Sequence, residues 1–253
     1  MNTPLVLLHG FCEDGNIWKS FAEPLALTVP VFSPDLPGFG SAVPMHHTTI
    51  ESMAEYVNDY FESSQITNAI LIGHSMGGYV ALAFAEKYPE KLSGVGLFHS
   101  QPFADSESKK NDRSRAADFV RKNGSAEYVA QLFPALFTDE FKLKNSDVLQ
   151  SLIEKYSSLS PDGICEALDA MRLRTNRESV LRNLNIPFFC LLGKQDKLFN
   201  FRDIISAVNQ AKISDLHLID SCAHMGMLEQ PENCRTALVE FLQLIETKQA
   251  TQY

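Results

Sequence analysis

The segment Ala69-Ile-Leu-Ile-Gly-His-Ser-Met-Gly-Gly-Tyr79 constrains the fold more than any other stretch of the chain. A run of branched apolar residues, Ile70, Leu71 and Ile72, breaks at Gly73, presents Ser75, and passes through Gly77 and Gly78 into Val80-Ala-Leu-Ala-Phe-Ala85, a strong helical pattern. A strand that turns straight into a helix strains the backbone of its central residue. Side chains two positions before and after would collide, and glycine stands at both, as Gly73 and Gly77. Such a turn lifts the Ser75 hydroxyl clear of the carboxyl edge of the sheet. The helix amino terminus beneath it, with its free N–H groups, favours developing negative charge. On its own G-x-S-x-G also reads as a glycine-rich β-to-α turn; the flanking strand and helix patterns favour a nucleophile turn. A base, an acid and an oxyanion hole must then come from elsewhere.

Leu5-Val-Leu-Leu-His9 is continuously apolar, as expected of a strand covered on both faces in a parallel sheet. It runs into Gly10-Phe11-Cys12 and an acidic, glycine-containing loop. Gly10 lets the backbone fold over the sheet edge, and the N–H of Phe11 is assigned as one oxyanion donor. Val31-Phe-Ser-Pro-Asp35 reads as the next strand, closed by the tight turns of Leu36-Pro-Gly-Phe-Gly-Ser41, with Asp35 as a turn-capping carboxylate. Ile50 to Phe61 has helical spacing, the helix after Ser75 stops at Pro89, and Gly94 to Ser100 forms the following strand. The sheet resumes at Ile186 to Leu192 and again at Asp215 to Ile219, before a final helix from Glu232 to about Lys248.

Between Gln101 and about Asn185 the alternation stops. Helices are predicted over Asp112–Asn123, Ala126–Phe137, Asp147–Tyr156 and Ser160–Leu173. Several helices between two strands of one sheet suggest a lid over the carboxyl edge, where open α/β sheets bind ligands. Residues 1–101 and 186–253 then form the core and 102–185 the lid, in one structural domain with an insertion. Phe103, Phe133, Leu136, Phe137 and Met171 supply an apolar underside, most of it the lid's own core.

Ser75, Asp196 and His224 each lie just after a separate strand, and in a parallel sheet such positions share one edge. Serine needs a base to become a nucleophile. His224 can take and return the proton, while Asp196 holds its tautomer. Asp220 ends a strand and reads as a turn residue; His74 packs into the site wall, and His99 either lines the pocket or is a satisfied core residue. Cys12 and Cys222 flank the site as packing residues.

These elements resemble the α/β-hydrolase superfamily across nearly the whole chain: His9-Gly10-Phe11, Asp35-Leu-Pro-Gly-Phe-Gly40, Gly73-His-Ser-Met-Gly-Gly78, Tyr88-Pro-Glu-Lys91, Gly193-Lys-Gln-Asp196 and Cys222-Ala-His224. The resemblance implies an α/β fold: a mostly parallel twisted sheet with helices on both faces and a helical lid after the sixth canonical strand position. It implies Ser75 as nucleophile, Asp196 as acid, His224 as base, and the N–H groups of Phe11 and Met76 as the oxyanion hole. His99, Phe133, Phe137 and Met171 are candidate substrate contacts.

Within the family, serine rather than aspartate at the turn argues against haloalkane dehalogenases and epoxide hydrolases. A menaquinone-pathway lyase typically carries Arg where Tyr79 stands, and carbon–carbon bond hydrolases usually carry Asn where His74 stands. The segment Asp35–Gly40 is similar to that of carboxylesterases acting on carrier-protein-linked methyl esters, which hold the carrier through lid arginines. Arg113, Arg115, Arg121, Arg172, Arg174 and Arg177 read instead as a solvated helical face balanced by nearby Asp and Glu. The expectation is a serine carboxylesterase for small-molecule esters, with no metal or organic cofactor; a lyase, a carbon–carbon hydrolase and a non-catalytic receptor on the same scaffold are the alternatives.

The formal net charge of −9 argues against nucleic acid and anionic membrane surfaces. No apolar run approaches a membrane span, and Met1-Asn2-Thr3-Pro4 leaves no room for a leader before the first strand. The odd count of five cysteines, without zinc-type spacing, fits reduced thiols in the cytoplasm.

Overall fold

The computed structural model describes residues 3–250, so Met1 and Asn2, part of the leader argument, lie outside the described residues. All six predicted strands are present: β1 (Leu5–Leu8), β2 (Val31–Phe32), β3 (Ala69–His74), β4 (Leu92–Phe98), β5 (Phe188–Gly193) and β6 (Ser214–Ile219). They form one sheet in the order β2-β1-β3-β4-β5-β6, and every pairing is parallel. β1, β3 and β5 are buried along their full length, which is why their sequences are apolar without alternation. β2 is shorter than predicted. Pro34 has no N–H to give a ladder, and the Asp35 carboxylate is occupied by the N–H groups of Gly15 (2.8 Å) and Ser41 (2.7 Å), the capping role expected of it.

The described residues also form three short 3₁₀ helices and twelve α-helices. The first four are α1 (Lys19–Ala22), α2 (Ile50–Ser63), α3 (Met76–Lys87) and α4 (Glu107–Asn123); α5 (Ser125–Ala135), α6 (Asp139–Lys144), α7 (Ser146–Tyr156) and α8 (Pro161–Leu173) follow. The last are α9 (Glu178–Asn183), α10 (Phe201–Val208), α11 (Gly226–Glu229) and α12 (Pro231–Ala250). Thr49 and Ser52 close a capping box at the start of α2. α12 covers the sheet through Phe241, whose ring centroid lies 5.2 Å from that of Phe189.

Helices α4–α9 are the insertion between β4 and β5. α4 begins earlier than its apolar periodicity indicated, because Ser106 caps a charged first turn. α6 and α9, of six residues each, are too short for periodicity to reveal. Each of the six arginines faces a carboxylate, as expected, but three of them are not on a solvated face, Arg113 among them, paired with Asp105 and largely buried. Arg115 and Arg121 make exposed pairs within α4, with Asp112 and Asp118, and Arg172 makes a half-buried one within α8, with Asp169. Arg174 is buried, stacked 4.0 Å over the Tyr79 ring and bound to the carbonyls of Phe103 and Met171. Arg177 is also buried and reaches Glu51 (2.6 Å) on α2 and Glu86 (3.0 Å) on α3, fastening the insertion to the core.

No helix among the described residues is long and apolar enough to cross a membrane.

Candidate active site

Ser75 sits between β3 and α3 with φ 49° and ψ −113°, a conformation that side chains rarely adopt. A Cβ on Gly73 would stand 2.1 Å from the Gly77 carbonyl oxygen, so the first glycine answers to the turn itself. A Cβ on Gly77 would instead meet the carbonyl oxygens of His9 (2.6 Å) and Leu8 (2.7 Å). The second glycine is therefore required by the end of β1 rather than by the residue four positions earlier. The Ser75 N–H donates to the Phe98 carbonyl (3.1 Å), and the Ser100 hydroxyl donates to the Ser75 carbonyl (2.6 Å), which anchors the strained turn to β4.

His224 and Asp196 meet directly: Nδ1 lies 2.7 Å from Asp196 Oδ2, and both side chains are buried. Burial alone would raise the Asp196 pKa; the His224 imidazole and its hydrogen bond, His99, and the Leu198 N–H (2.9 Å) together hold it below the usual carboxylate range. With Nδ1 donating to a carboxylate, Nε2 of His224 is left as the acceptor. Ser75 and His224 line one cavity, with no hydrogen bond between them in this conformation. Such contacts often tighten only when substrate is bound. Asp220, the weaker candidate acid, pairs with Lys194 at an exposed position.

The N–H groups of Phe11 and Met76 have no protein acceptor among the described residues, which leaves both available to a ligand oxygen. Their loop is braced by Glu13, whose carboxylate accepts from the Gly10 N–H (2.7 Å) and from His74 Nδ1 (3.0 Å). His74 Nε2 in turn lies 2.9 Å from the His224 carbonyl oxygen. Burial works against a charged His74, but the Glu13 carboxylate, the His224 carbonyl and Asp196 together offset it and the pKa is raised.

His99 takes the core alternative. It accepts the Gly193 N–H at Nδ1 (3.1 Å), lies behind Asp196, and burial drives its pKa well below the usual value. Cys12 and Cys222 are buried thiols: burial raises Cys12 well above its usual range, and Cys234 with burial raises Cys222.

The cavity over Ser75 measures about 210 Å³. Core residues Phe11, Glu13, Tyr79, Leu198 and Phe199 form one side, and Lys109, Arg113, Tyr128, Leu132, Leu136, Leu168 and Met171 of the insertion form the other. Of the four candidate substrate contacts only Met171 is in the wall. His99 is not, and Phe133 and Phe137 turn into the helical insertion, stacked on Tyr156 (5.4 Å) and Phe141 (4.8 Å). Leu132 and Leu136 are four residues apart and share the cavity face of α5; Phe133, one residue on, is rotated about 100° away. Glu13, Lys109 and Tyr128 escaped sequence reasoning, although an acidic residue two positions after a proposed oxyanion donor is a signal worth heeding.

The helical insertion is tied to the histidine loop. The His224 N–H donates to the Leu136 carbonyl (3.0 Å). The Glu229 carboxylate accepts from Ala223 (3.0 Å) and Met225 (3.2 Å) on one oxygen and from Thr138 (2.9 Å) on the other.

Residues 3–231 match the family model described as the alpha/beta hydrolase fold. Among curated relatives, 3-oxoadipate enol-lactonase 1 of Acinetobacter baylyi is 26% identical over 91% of this chain and 85% of its own length. The 2-succinyl-6-hydroxy-2,4-cyclohexadiene-1-carboxylate synthase of Klebsiella pneumoniae is 26% identical over 94% and 93%. Some relatives are longer: the chain spans 48% of the biotin biosynthesis bifunctional protein BioHC of Cellvibrio japonicus. A solved thermophilic esterase from Thermogutta terrifontis, with malate bound, superposes with a TM-score of 0.92 at 29% identity, covering 97% of this chain and 91% of that one.

Proposed function

The chain belongs to the α/β-hydrolase family, and from that membership we propose that it is a serine hydrolase cleaving carboxylic esters of small molecules through an acyl-enzyme. The observation that carries this reading is the 2.7 Å contact from His224 Nδ1 to Asp196, placed on the wall of the cavity that also holds Ser75. His224 Nε2 takes the Ser75 proton as Oγ attacks the ester carbonyl. The oxyanion falls to the N–H groups of Phe11 and Met76, each worth about 3 kcal/mol by analogy with other hydrolases. His224 returns the proton to the leaving alcohol, then activates a water that releases the acid from Ser75. The likeness to the Thermogutta terrifontis esterase supports ester cleavage. Five buried, unpaired cysteines support a reducing compartment such as the cytoplasm.

A lyase using the same triad is the second reading, favoured by the likeness to the Klebsiella pneumoniae synthase. Against it, Tyr79 occupies the cavity wall where that type carries arginine, and the guanidinium behind it, Arg174, is held by Asp105 and two carbonyls. An organophosphonate probe followed by mass spectrometry tests the proposal, together with turnover of an aryl ester. Labelling at Ser75 and multiple turnover that vanishes in Ser75→Ala are expected; near-normal turnover by Ser75→Ala would overturn the assignment.

A further inference from the structure

Lys109 and Arg113 stand four residues apart on α4 and so share one face, which forms part of the cavity wall over Ser75. Tyr128 of the adjoining α5 lies in the same wall. These three side chains hold unused hydrogen-bond donors. Among the described residues no ion pair engages the Lys109 ammonium, and the Tyr128 hydroxyl has no hydrogen-bond partner. Arg113 uses only Nε, on Asp105, which leaves four of a guanidinium's five N–H groups.

The acidic groups nearby do not cancel this charge. Asp105 is shared between Arg113 and Arg174, leaving one positive charge in excess. Asp112 also borders the cavity, between Lys109 and Arg113, but its carboxylate is paired with Arg115. Glu13 is matched by His74 and the Gly10 N–H. Lys109 adds a second unmatched positive charge, in a chain whose formal net charge is −9. Leu132, Leu136 and Met171 border these groups, and apolar walls strengthen charge interactions relative to water.

We propose that the lid wall formed by Lys109, Arg113 and Tyr128 is a subsite for a second, anionic acid group on the substrate, so that the preferred ester carries an ionised oxyacid group at the end distant from the scissile bond. This rests on the esterase reading. Lys109 supplies a point charge, Arg113 directed donors, and Tyr128 a neutral donor.

The test compares ethyl hydrogen adipate with ethyl hexanoate, which match in acyl length and differ by a carboxylate; ethyl 5-phosphonopentanoate replaces the carboxylate by a phosphate-like group. In the wild-type protein kcat/KM for the adipate monoester should exceed that for the hexanoate by about tenfold or more, as one charge-assisted contact allows. That ratio should fall several-fold in Lys109→Gln and return in Lys109→Arg. A higher ratio for the phosphonate supports the same subsite with a phosphate-type ligand. Equal rates for charged and neutral esters, or a ratio indifferent to Lys109→Gln, would overturn the subsite. Calorimetric titration of Ser75→Ala with the same compounds reads the preference without catalysis. Selective binding of the anion without turnover in the wild type defeats the esterase reading alone, and turnover blind to charge defeats the subsite alone.

Discussion

The Glu13 carboxylate and the His74 imidazole, 61 residues apart in sequence, meet at 3.0 Å with neither side chain more than 1% exposed. The second imidazole nitrogen lies 2.9 Å from the His224 carbonyl oxygen. With Glu13 ionised, both ring nitrogens of His74 face acceptors, an arrangement satisfied by the doubly protonated ring. The Gly10 N–H completes the cluster at 2.7 Å from Glu13. One buried ion pair therefore joins the loop after β1, the serine turn and the histidine loop.

Its stability signature depends on pH in a defined direction. Burial opposes both charges, yet the partner, with the Gly10 N–H and His9 at Glu13 and with the His224 carbonyl and Asp196 at His74, offsets that cost, so Glu13 is lowered from 4.5 and His74 raised from 6.5. The Glu13 contribution is present above pH 4.5 and lost as pH falls through its depressed folded value. The His74 contribution is full below pH 6.5 and lost as pH rises through its raised folded value. The stability lost in Glu13→Gln should therefore be largest between these limits and shrink on either side. Glu13→Ala, which strands the buried imidazolium, should cost about 3–5 kcal/mol at pH 6. Denaturant melts of the wild type and both variants from pH 4 to 9 measure this; a difference independent of pH would show that the pair is not charged.

For the proposed mechanism, Ser75→Ala should lower kcat by about a millionfold and Asp196→Asn by about ten-thousandfold, by analogy with other triads. Steady-state rates on one small aryl ester, with circular dichroism to verify folding, decide it. Asn at 196 keeps the size of the side chain but lets the imidazole settle in the wrong tautomer, so its effect should fall on kcat more than on KM.

Gly77→Ala should be far more damaging than a methyl group suggests. Its Cβ would lie 2.6 Å and 2.7 Å from two backbone carbonyl oxygens at the end of β1, which cannot swing aside as a side chain can. The expected result is a loss of several degrees in Tm and a fall in kcat of about a hundredfold or more, since displacing the Phe11 N–H removes an oxyanion donor. Calorimetry and rates on the purified variant read both effects; wild-type values would place that donor elsewhere.

Glu229→Ala should uncouple the helical insertion from the histidine loop. It removes the acceptor from three backbone N–H groups, those of Thr138, Ala223 and Met225. Leaving a buried donor unpaired costs about 1–3 kcal/mol. Hydrogen exchange should rise at residues 136–141 and 222–226, and kcat should fall by about tenfold, as expected for a mispositioned base. Unchanged exchange in both segments would show that Glu229 does not join them.

Six strands, the turn at Ser75 and the positions of Asp196 and His224 could be read from the amino acids alone. Most of this rests on local chemistry: apolar runs without alternation mean strands buried on both faces, and Gly73 answers to the turn itself, although Gly77 answers to the end of β1. Parallel pairing then places the ends of β3, β5 and β6 on one edge whatever lies between them. The cavity walls were not legible in that way. Phe133 and Leu132 are equally apolar and adjacent, and only the rotation of α5 against the core decides that Leu132 faces the cavity while Phe133 stacks on Tyr156.

Arg174, Arg177 and Glu13 show the same division with charged residues. By type and neighbours each reads as a solvated surface group, because burying a charge is costly without a partner. Their partners, Asp105, Glu51, Glu86 and His74, come from distant segments. The chain by itself determined its order of strands, its longer helices and the turn that presents Ser75, since short-range sterics and periodicity act within a few residues. The tertiary structure alone decided which charges are buried and which side chains meet the cavity, since both depend on how separately formed elements dock.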